Sequence, residues 1–319
     1  MMKDLTRRLA DLGYGAAWAG LRHLPHRPTL AAANVIADRA FRRRGPAVIQ
    51  YARNLRRVLV HGAPDGSEPA AGIGRRVDPA ELSATVKAGL RSYARYWVET
   101  FQLPGMDLAE VASRAEAGTT GLEHVRAAVE EGRGAIIALP HSGNWDVAGL
   151  MICRIFGSLT SVAERLQPDS LYEKFVAYRQ LLGMEILPLT GPGAAATSGL
   201  LKERLRAGQV VCLLGDRDLG GSGVPVDFFG ERTRMPAGPA MLAALTGAAL
   251  LPTHLSYNRH GWRNVIGPPL SLPGTRLAEQ VRTGTQLLAD RYAAGIAGAP
   301  ADWHMLQPLW PGDMLGDGR

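Results

Sequence analysis

Short apolar runs alternate with amphipathic stretches between residues 122 and 214, and this alternation constrains the fold more than any other feature. The apolar runs have the length of strands, and the stretches between them are long enough for helices. Gly183 and Gly208 follow two of these stretches, where a C-cap glycine belongs. Strands and helices in turn are typical of a parallel sheet with right-handed crossovers. The predicted strands are residues 134–139, 158–163, 185–189 and 209–214, and the predicted helices are residues 122–131, 146–156, 169–182 and 194–207.

The pattern continues beyond residue 214. A loop over residues 215–239 is predicted to lead to a helix over 239–248, strands over 249–257 and 262–266, and a long helix over 275–296. We therefore predict an α/β fold with a mixed, mostly parallel central sheet flanked by helices and preceded by a basic helical segment.

The basic charge of the chain is concentrated at its beginning. The net charge is +7, yet residues 1–61 hold twelve Lys and Arg side chains against three Asp, whereas the other 258 residues hold 24 basic and 26 acidic ones. Apolar residues recur at helical spacing from Leu5 to Ala16 and again from Val48 to Leu59. Such a segment implies an anionic partner, which is either nucleic acid or a membrane surface.

Two interpretations of these helices stay open. Arg53, Arg56 and Arg57 fall opposite the apolar stripe of the second helix, and residues 42–44 before it are all arginine, as in a helix that lies at an anionic interface. Alternatively, the apolar stripe packs on the core and the arginines form a solvated face.

The domain organisation is predicted from a change in composition. Residues 62–78 are rich in Gly, Pro, Ala and Ser, and this composition predicts a linker. Asp78 is a candidate N-cap for the long helix that follows, and Pro79 suits its first turn. We predict a basic amphipathic membrane-contact segment over 1–61, a linker over 62–78 and an α/β domain over 79–319.

Several classes of protein are excluded. The two cysteines, Cys153 and Cys212, are too few for a disulfide scaffold or a four-cysteine zinc site, and we expect buried free thiols in a reducing cytosol. The charge-free window over residues 235–258 is broken by proline and glycine, and its one continuous apolar part, residues 240–251, is too short to span a bilayer. Asp4 and Asp11 interrupt any signal peptide. The expected location is therefore the cytoplasm, or a membrane that the chain contacts from outside.

The candidate site lies at the carboxyl ends of two predicted strands, where open α/β sheets bind their ligands. The first strand runs into Pro-His-Ser-Gly-Asn-Trp-Asp at residues 140–146, and the fourth runs into Gly-Asp-Arg-Asp at residues 215–218. The carboxylate of Asp146 can reach His141 across the turn, fix its tautomer and leave the other nitrogen as a base. Alternatively, His141 is a loop residue and Asn144 or Asp146 is a helix N-cap.

Metal binding is a further alternative. His141, Asp146, Asp216 and Asp218 are residue types that hold divalent cations. Arg217 between the two aspartates argues against a metal, because it already supplies positive charge.

The motif His-x4-Asp after a short apolar strand resembles the first motif of the membrane acyltransferases, which include the glycerolipid acyltransferases and the late acyltransferases of lipid A synthesis. A longer set of blocks resembles the actinobacterial phosphatidylinositol mannoside acyltransferases, and the resemblance covers residues 80–310 in order. The blocks are His-Ser-Gly-Asn-Trp-Asp at 141–146, Asp-Arg-Asp-Leu at 216–219, Asp-Phe-Phe-Gly at 227–230, Arg-Met-Pro-Ala-Gly-Pro-Ala at 234–240, and the tail from Asp302 to Trp310.

The resemblance implies transfer of a palmitoyl group from acyl-CoA to a sugar hydroxyl of mannosylated phosphatidylinositol, at the cytoplasmic face of the cell membrane. It implies no cofactor besides the acyl-CoA co-substrate. Matched onto this chain, His141 is the general base, and the carboxylate of the second motif is Asp216, where the relatives carry Glu. Since Asp is one methylene shorter, its contact with His141 must be closer or mediated by water, and either Asp146 or Asp216 is the main partner.

The chemistry agrees with this resemblance. A sugar hydroxyl needs a base near neutral pH, and the oxyanion needs donors such as the N–H groups of residues 142–144 or of the next helix start. Small side chains in helix 239–248 either leave an apolar slot for the acyl chain or only allow close helix packing. The glycine-rich loop at 220–223 and nearby arginines, Arg232 among them, are candidates for CoA phosphates. The predicted substrate-binding residues are Asn144, Arg179, Arg217, Asp218, Ser222 and Arg234.

Three other functions compete with this one. A different acceptor, such as a lysophospholipid, fits the same motifs. If no acceptor lipid enters the site, the same base activates water and the enzyme is an acyl-CoA hydrolase. A basic nucleic-acid-binding protein fits the charge of residues 1–61, but no base-stacking motif supports it. The expected partners are therefore an anionic membrane surface, a glycolipid acceptor and acyl-CoA, and not nucleic acid.

Overall fold

The computed structural model describes residues 13–62, 75–165 and 168–314. Its central sheet has the strands β1 (Thr119–Thr120), β2 (Ala135–Leu139), β3 (Leu159–Ala163), β4 (Met184–Pro188), β5 (Val210–Leu214), β8 (Ala249–Asn258) and β9 (Gly261–Ile266). They follow the order β1-β9-β8-β2-β5-β3-β4, in which only β8 and β9 pair antiparallel. The predicted mixed, mostly parallel α/β fold is confirmed.

Helices flank the sheet, and each strand and helix predicted between residues 122 and 296 is present within two residues of its expected ends. In the described part of the chain the helices are α1 (residues 13–21), α2 (His26–Arg43), α3 (Pro46–His61), α4 (Pro79–Gln102), α5 (Leu108–Ala117), α6 (Leu122–Glu130), α7 (Trp145–Phe156), α8 (Asp169–Leu181), α9 (Ala194–Arg206), α10 (Gly238–Thr246), α11 (Leu277–Gly298) and α12 (Pro311–Met314).

The core has two layers, one on each face of the sheet. Strand β2 is buried throughout, and its alternate residues enter different layers: Ile136 and Ala138 on one face, Ile137 and Leu139 on the other. A strand that is covered on both faces has a continuous apolar sequence, and this run is why β2 could be predicted from the sequence alone.

The loop predicted over residues 215–239 is in part wrong, because it contains a two-stranded hairpin. Strands β6 (Val224–Phe228) and β7 (Glu231–Met235) pair antiparallel through a turn at Phe229 and Gly230, which both have positive φ. Three residues of β7, Glu231, Arg232 and Arg234, are charged and exposed, and its two inward residues include the polar Thr233. Because β7 has no run of apolar residues, its sequence did not indicate a strand.

The basic segment packs on the α/β domain through its apolar faces. Helix α3 buries Tyr51, Leu55 and Val58 against α4 and the carboxy-terminal tail, whereas Arg53 and Arg56 remain exposed. The structure therefore shows the core-packing alternative for the apolar stripe of α3. Most of the predicted helix from Leu5 to Ala16 lies outside the described residues.

The linker prediction also falls largely outside the described residues, which stop at 62 and resume at 75. The side chain of Asp78 accepts a hydrogen bond from the Ala80 N–H, so the predicted N-cap is confirmed. The division of the chain at 61 and 78 stays a prediction. Both cysteines are free, with Cys153 buried and Cys212 partly so. Among the helices of the described ranges, none combines the length and apolar character that a membrane span needs.

Candidate active site

Two paired strands bring His141 and Asp216 together. Leu139 of β2 lies opposite Leu214 of β5, and His141 and Asp216 each follow two residues later. The chain turns sharply after His141 at Gly143, whose φ is +57° and where a Cβ would approach the Leu255 backbone to 2.8 Å. Only glycine meets both requirements, and the turn leads directly into α7.

The side chain of Asp216 holds His141 by two hydrogen bonds. His141 Nδ1 lies 2.6 Å from Asp216 Oδ1, and the His141 backbone N–H donates to Oδ2 over 3.0 Å. The contact is therefore direct, as one of the two expected alternatives required. Burial alone would raise the pKa of Asp216, but the adjacent His141 imidazole and hydrogen bonds from His141 and Trp303 hold it below its usual value. The carboxylate is thus ionised at neutral pH.

This pairing fixes the roles of the two imidazole nitrogens. A carboxylate at Nδ1 keeps the proton on that nitrogen, so Nε2 carries the lone pair. The side chain of His141 is 27% exposed, and no described residue hydrogen-bonds Nε2. The arrangement can provide a proton acceptor at Nε2, with the Asp216 carboxylate on the opposite side of the ring.

The predicted contact between Asp146 and His141 is wrong. Asp146 is buried, and its two oxygens accept hydrogen bonds from Arg179 Nε (2.9 Å) and the Tyr96 hydroxyl (3.0 Å). Asp146 lies in the first turn of α7, so its side chain points back into the protein rather than across the turn. Arg179 is therefore engaged in an internal ion pair through its Nε, and the predicted contact of Arg179 with a CoA phosphate stays untested.

Asn144 caps α7, which confirms the alternative prediction for this residue. Its Oδ1 accepts from the Val147 N–H over 3.0 Å, and its Nδ2 donates to buried Glu99 over 2.7 Å. Trp262 Nε1 donates to the same Glu99 oxygen. Both polar atoms of the Asn144 side chain are thus used within the protein, and the predicted substrate contact of Asn144 stays untested.

A cavity of about 420 Å³ opens beside His141, between β3, β5, α9 and α10. Leu201, Leu213 and Leu242 are its buried apolar walls, and Glu164, Thr190 and Arg217 are polar residues in its lining. In α10, Leu242 lines the cavity whereas Ala240 and Ala243 are buried in the core. The helix therefore contributes both to the slot and to close packing.

The other predicted substrate-binding residues have different environments. Arg217 and Ser222 line the cavity together with His141. Asp218 also lines it, but its carboxylate accepts from the N–H groups of Gly220 and Gly223, so it closes the glycine-rich loop on itself. Arg234 donates to the Gly223 carbonyl. Arg232 is exposed and pairs with Asp227.

Residues 4–311 match the bacterial lipid A biosynthesis acyltransferase family. The chain belongs to this family. It is 46% identical over 311 residues to the phosphatidylinositol mannoside acyltransferase of Mycobacterium tuberculosis (strain ATCC 25618 / H37Rv), which covers 98% of this chain and 92% of the relative. It is 45% identical over 315 residues to the protein of the same name from Mycolicibacterium smegmatis, covering 99% and 96%.

In this acyltransferase the carboxy-terminal tail clamps the His141 loop, which the sequence did not predict. The Gly143 N–H donates to the Asp302 carbonyl (2.9 Å), and the His304 N–H donates to the His141 carbonyl (2.7 Å). Ser142 and Trp303 form the β-bridge between these bonds. The contacts join residues about 160 positions apart, beyond the reach of any local pattern.

Two of the predicted oxyanion donors in the His141 loop already have hydrogen-bond partners within the protein. The Ser142 N–H donates to the Pro140 carbonyl, and that of Gly143 donates to Asp302. At the start of α7 the Val147 N–H is taken by Asn144 Oδ1, so the N–H groups of residues 144–146 are those with no partner among the described residues. Within the described ranges, no group of three or more His, Cys, Asp or Glu residues is arranged to hold a metal ion.

Proposed function

We propose that this acyltransferase moves a long-chain acyl group, palmitoyl by resemblance, from acyl-CoA to a mannose hydroxyl of phosphatidylinositol mannosides. The relatives at 45% and 46% identity carry that name and align over nearly the whole chain. The observation that carries the proposal is the His141–Asp216 pair beside an apolar cavity. A base for a hydroxyl and a slot for an acyl chain are the two elements that such a transfer needs.

The reaction proceeds by direct attack, without an acyl-enzyme. His141 Nε2 takes the proton of the mannose hydroxyl as its oxygen attacks the thioester carbonyl carbon. The resulting oxyanion is stabilised by the N–H groups of residues 144–146 at the start of α7. The C–S bond then breaks, and the CoA sulfur leaves with the proton from the imidazolium. Asp216 stabilises that imidazolium throughout.

The donor occupies the cavity beside His141. Its acyl chain packs between Leu201, Leu213 and Leu242, and Arg217 is the arginine placed to meet the phosphates of CoA. Arg179 supports this site from the interior through its pair with Asp146, and Arg234, on the surface, holds the glycine-rich loop by its bond to the Gly223 carbonyl. The reaction needs no cofactor, because the thioester is already activated.

The acceptor is reached from the cytoplasmic face of the membrane, to which the chain binds peripherally. Helix α2 exposes Val35 and Ile36 beside Arg39, Arg42 and Arg43. Apolar side chains flanked by arginines suit the boundary between anionic headgroups and acyl chains. The membrane contact is thus assigned to α2, because the apolar face of α3 is buried.

The experiment is an assay of the purified full chain with palmitoyl-CoA in anionic liposomes that contain phosphatidylinositol mannosides, a lysophospholipid or neither. Free CoA and lipid products are both measured. Acylated mannoside with matching CoA release supports the proposal. Acylation of the lysophospholipid alone identifies the other acceptor class, and CoA release without acceptor identifies a hydrolase. Retention on DNA without liposome binding would favour a nucleic-acid partner.

A further inference from the structure

Trp303 is a buried tryptophan whose polar atom meets the proposed catalytic carboxylate. Its side chain has no exposed surface, and its Nε1–H donates to Asp216 Oδ2 over 2.9 Å. The same oxygen accepts the His141 backbone N–H, whereas Oδ1 lies 2.6 Å from His141 Nδ1. Asp216 thus has three donors around a carboxylate that water does not reach.

The position of the indole is fixed from several sides. Trp303 forms the β-bridge to Ser142, and its carbonyl accepts from the Tyr51 hydroxyl over 2.9 Å. Its ring meets Phe228 edge-on, with the centroids 6.1 Å apart. A donor held this firmly restricts the carboxylate it binds, since the terminal torsion of an aspartate is otherwise broad.

We propose that Trp303 is a positioning residue for acyl transfer, which orients Asp216 and spreads its negative charge so that Oδ1 faces His141 Nδ1. This inference rests on the proposed roles of His141 and Asp216. The indole does not touch the acyl chain or the acceptor; it acts through the carboxylate. Its loss is therefore expected to change the acid–base step while substrate binding stays the same.

The direction of the effect follows from the charge of Asp216. Without the indole N–H, one donor remains on Oδ2, and the negative charge concentrates on the side that faces the imidazole. A more concentrated charge stabilises protonated imidazolium, so the acid limb of kcat/KM moves to higher pH. The carboxylate also gains rotational freedom, which lowers kcat.

Trp310 provides a matched control. It is as buried as Trp303, and its Nε1–H donates to the Phe228 carbonyl over 3.3 Å, so it also uses its indole inside the core. Its partner is a backbone group and not the His141–Asp216 pair. Trp310→Phe reports what the loss of a buried indole does to the fold alone.

The experiment compares Trp303→Phe, Trp310→Phe and a variant with β-(3-benzothienyl)alanine at position 303, which keeps the bicyclic shape but replaces the N–H by sulfur. Full chains are assayed with palmitoyl-CoA and phosphatidylinositol mannosides across pH. We expect both changes at 303 to lower kcat about tenfold, the usual effect of one hydrogen bond to a charged group. The KM for palmitoyl-CoA stays unchanged, and the acid limb moves to higher pH. The benzothienyl variant decides the question if the Phe variant does not fold.

An Asp216→Asn background separates this inference from the proposed function. If Trp303 acts through Asp216, Trp303→Phe causes no further loss in that background. Wild-type kcat and pH profile in the benzothienyl variant, or the same changes in Trp310→Phe, would overturn the role of Trp303. Wild-type activity of His141→Ala and Asp216→Asn would instead overturn the proposed function.

Discussion

His141 Nδ1 lies 2.6 Å from Asp216 Oδ1, although 75 residues separate the two in the chain. The pairing of β2 with β5 produces this contact, because each residue lies two positions beyond a matched pair of leucines. In the proposed function His141 Nε2 accepts the proton and Asp216 supports the imidazole.

Asp216→Asn should lower turnover at least about 100-fold, because the amide carries no charge to hold the tautomer and to stabilise the imidazolium. Asp216→Glu should retain more activity than Asp216→Asn, since it keeps both charge and acceptor oxygens. Steady-state kinetics should show the loss in kcat rather than in the KM for palmitoyl-CoA. A fully active Asp216→Asn, or activity that a chelator abolishes and a divalent cation restores, would contradict this assignment.

Asp146→Ala should reduce stability strongly, because it leaves Arg179 without its partner in the protein interior. We expect the free energy of unfolding to fall by about 3 kcal/mol. The double variant Asp146→Leu/Arg179→Met, which removes both charges, should recover much of this loss. Urea unfolding measures both, and Glu185→Ala, which breaks the more exposed pair with Arg204, serves as the control and should cost much less. An Asp146→Ala protein as stable as wild type would remove the structural role.

Leu242→Phe should shift the enzyme towards shorter acyl donors, because Leu242 is part of the cavity wall. The ratio of kcat/KM for palmitoyl-CoA to that for octanoyl-CoA should fall about tenfold, as for other apolar pockets that lose room. Leu245→Phe is the matched control, since Leu245 lies on the same helix but is 41% exposed. An unchanged ratio in Leu242→Phe, or an equal change in both variants, would show that the acyl chain binds elsewhere.

Membrane binding should depend on the exposed face of α2. The test variant combines Val35→Ser, Ile36→Ser, Arg39→Gln, Arg42→Gln and Arg43→Gln. It should sediment less with anionic liposomes than a control that combines Arg126→Gln, Arg133→Gln and Arg154→Gln, which removes the same positive charge from α6, α7 and the segment between them. High salt should weaken binding of the wild type, since the screening length falls to roughly 3 Å at 1 M. Equal sedimentation of both variants would leave α2 without this role.

Much of the fold followed from periodicity, because buried parallel strands are continuous apolar runs and their glycine-capped helices are amphipathic. The placement of His141 and Asp216 at one edge of the sheet also followed, since both come directly after such strands, but their pairing came only from the family resemblance, which left Asp146 as the alternative. The hairpin did not, because charged residues alternate with the inward ones in β7. A run of apolar residues in the sequence indicates a buried strand, and a strand in which charged and apolar residues are mixed has no such run.

The supporting contacts of the site were beyond prediction for another reason. Spacing places Asp146 near His141 in the chain, but only the direction of the first turn of α7 shows that it faces Arg179. The tail that carries Trp303 pairs with the His141 loop across some 160 residues. No local sequence pattern in these segments indicates which distant residue each one contacts, so the contacts became visible only in the three-dimensional structure.

The central claim is that His141 is the base of acyl transfer, and His141→Ala tests it most directly. Purified wild type and variant are given palmitoyl-CoA and phosphatidylinositol mannosides, and CoA release and acylated lipid are followed together, with circular dichroism and melting temperature as the check on folding. We expect turnover to be at least about 100-fold lower in a variant that is folded like the wild type. Turnover equal to that of the wild type would contradict it.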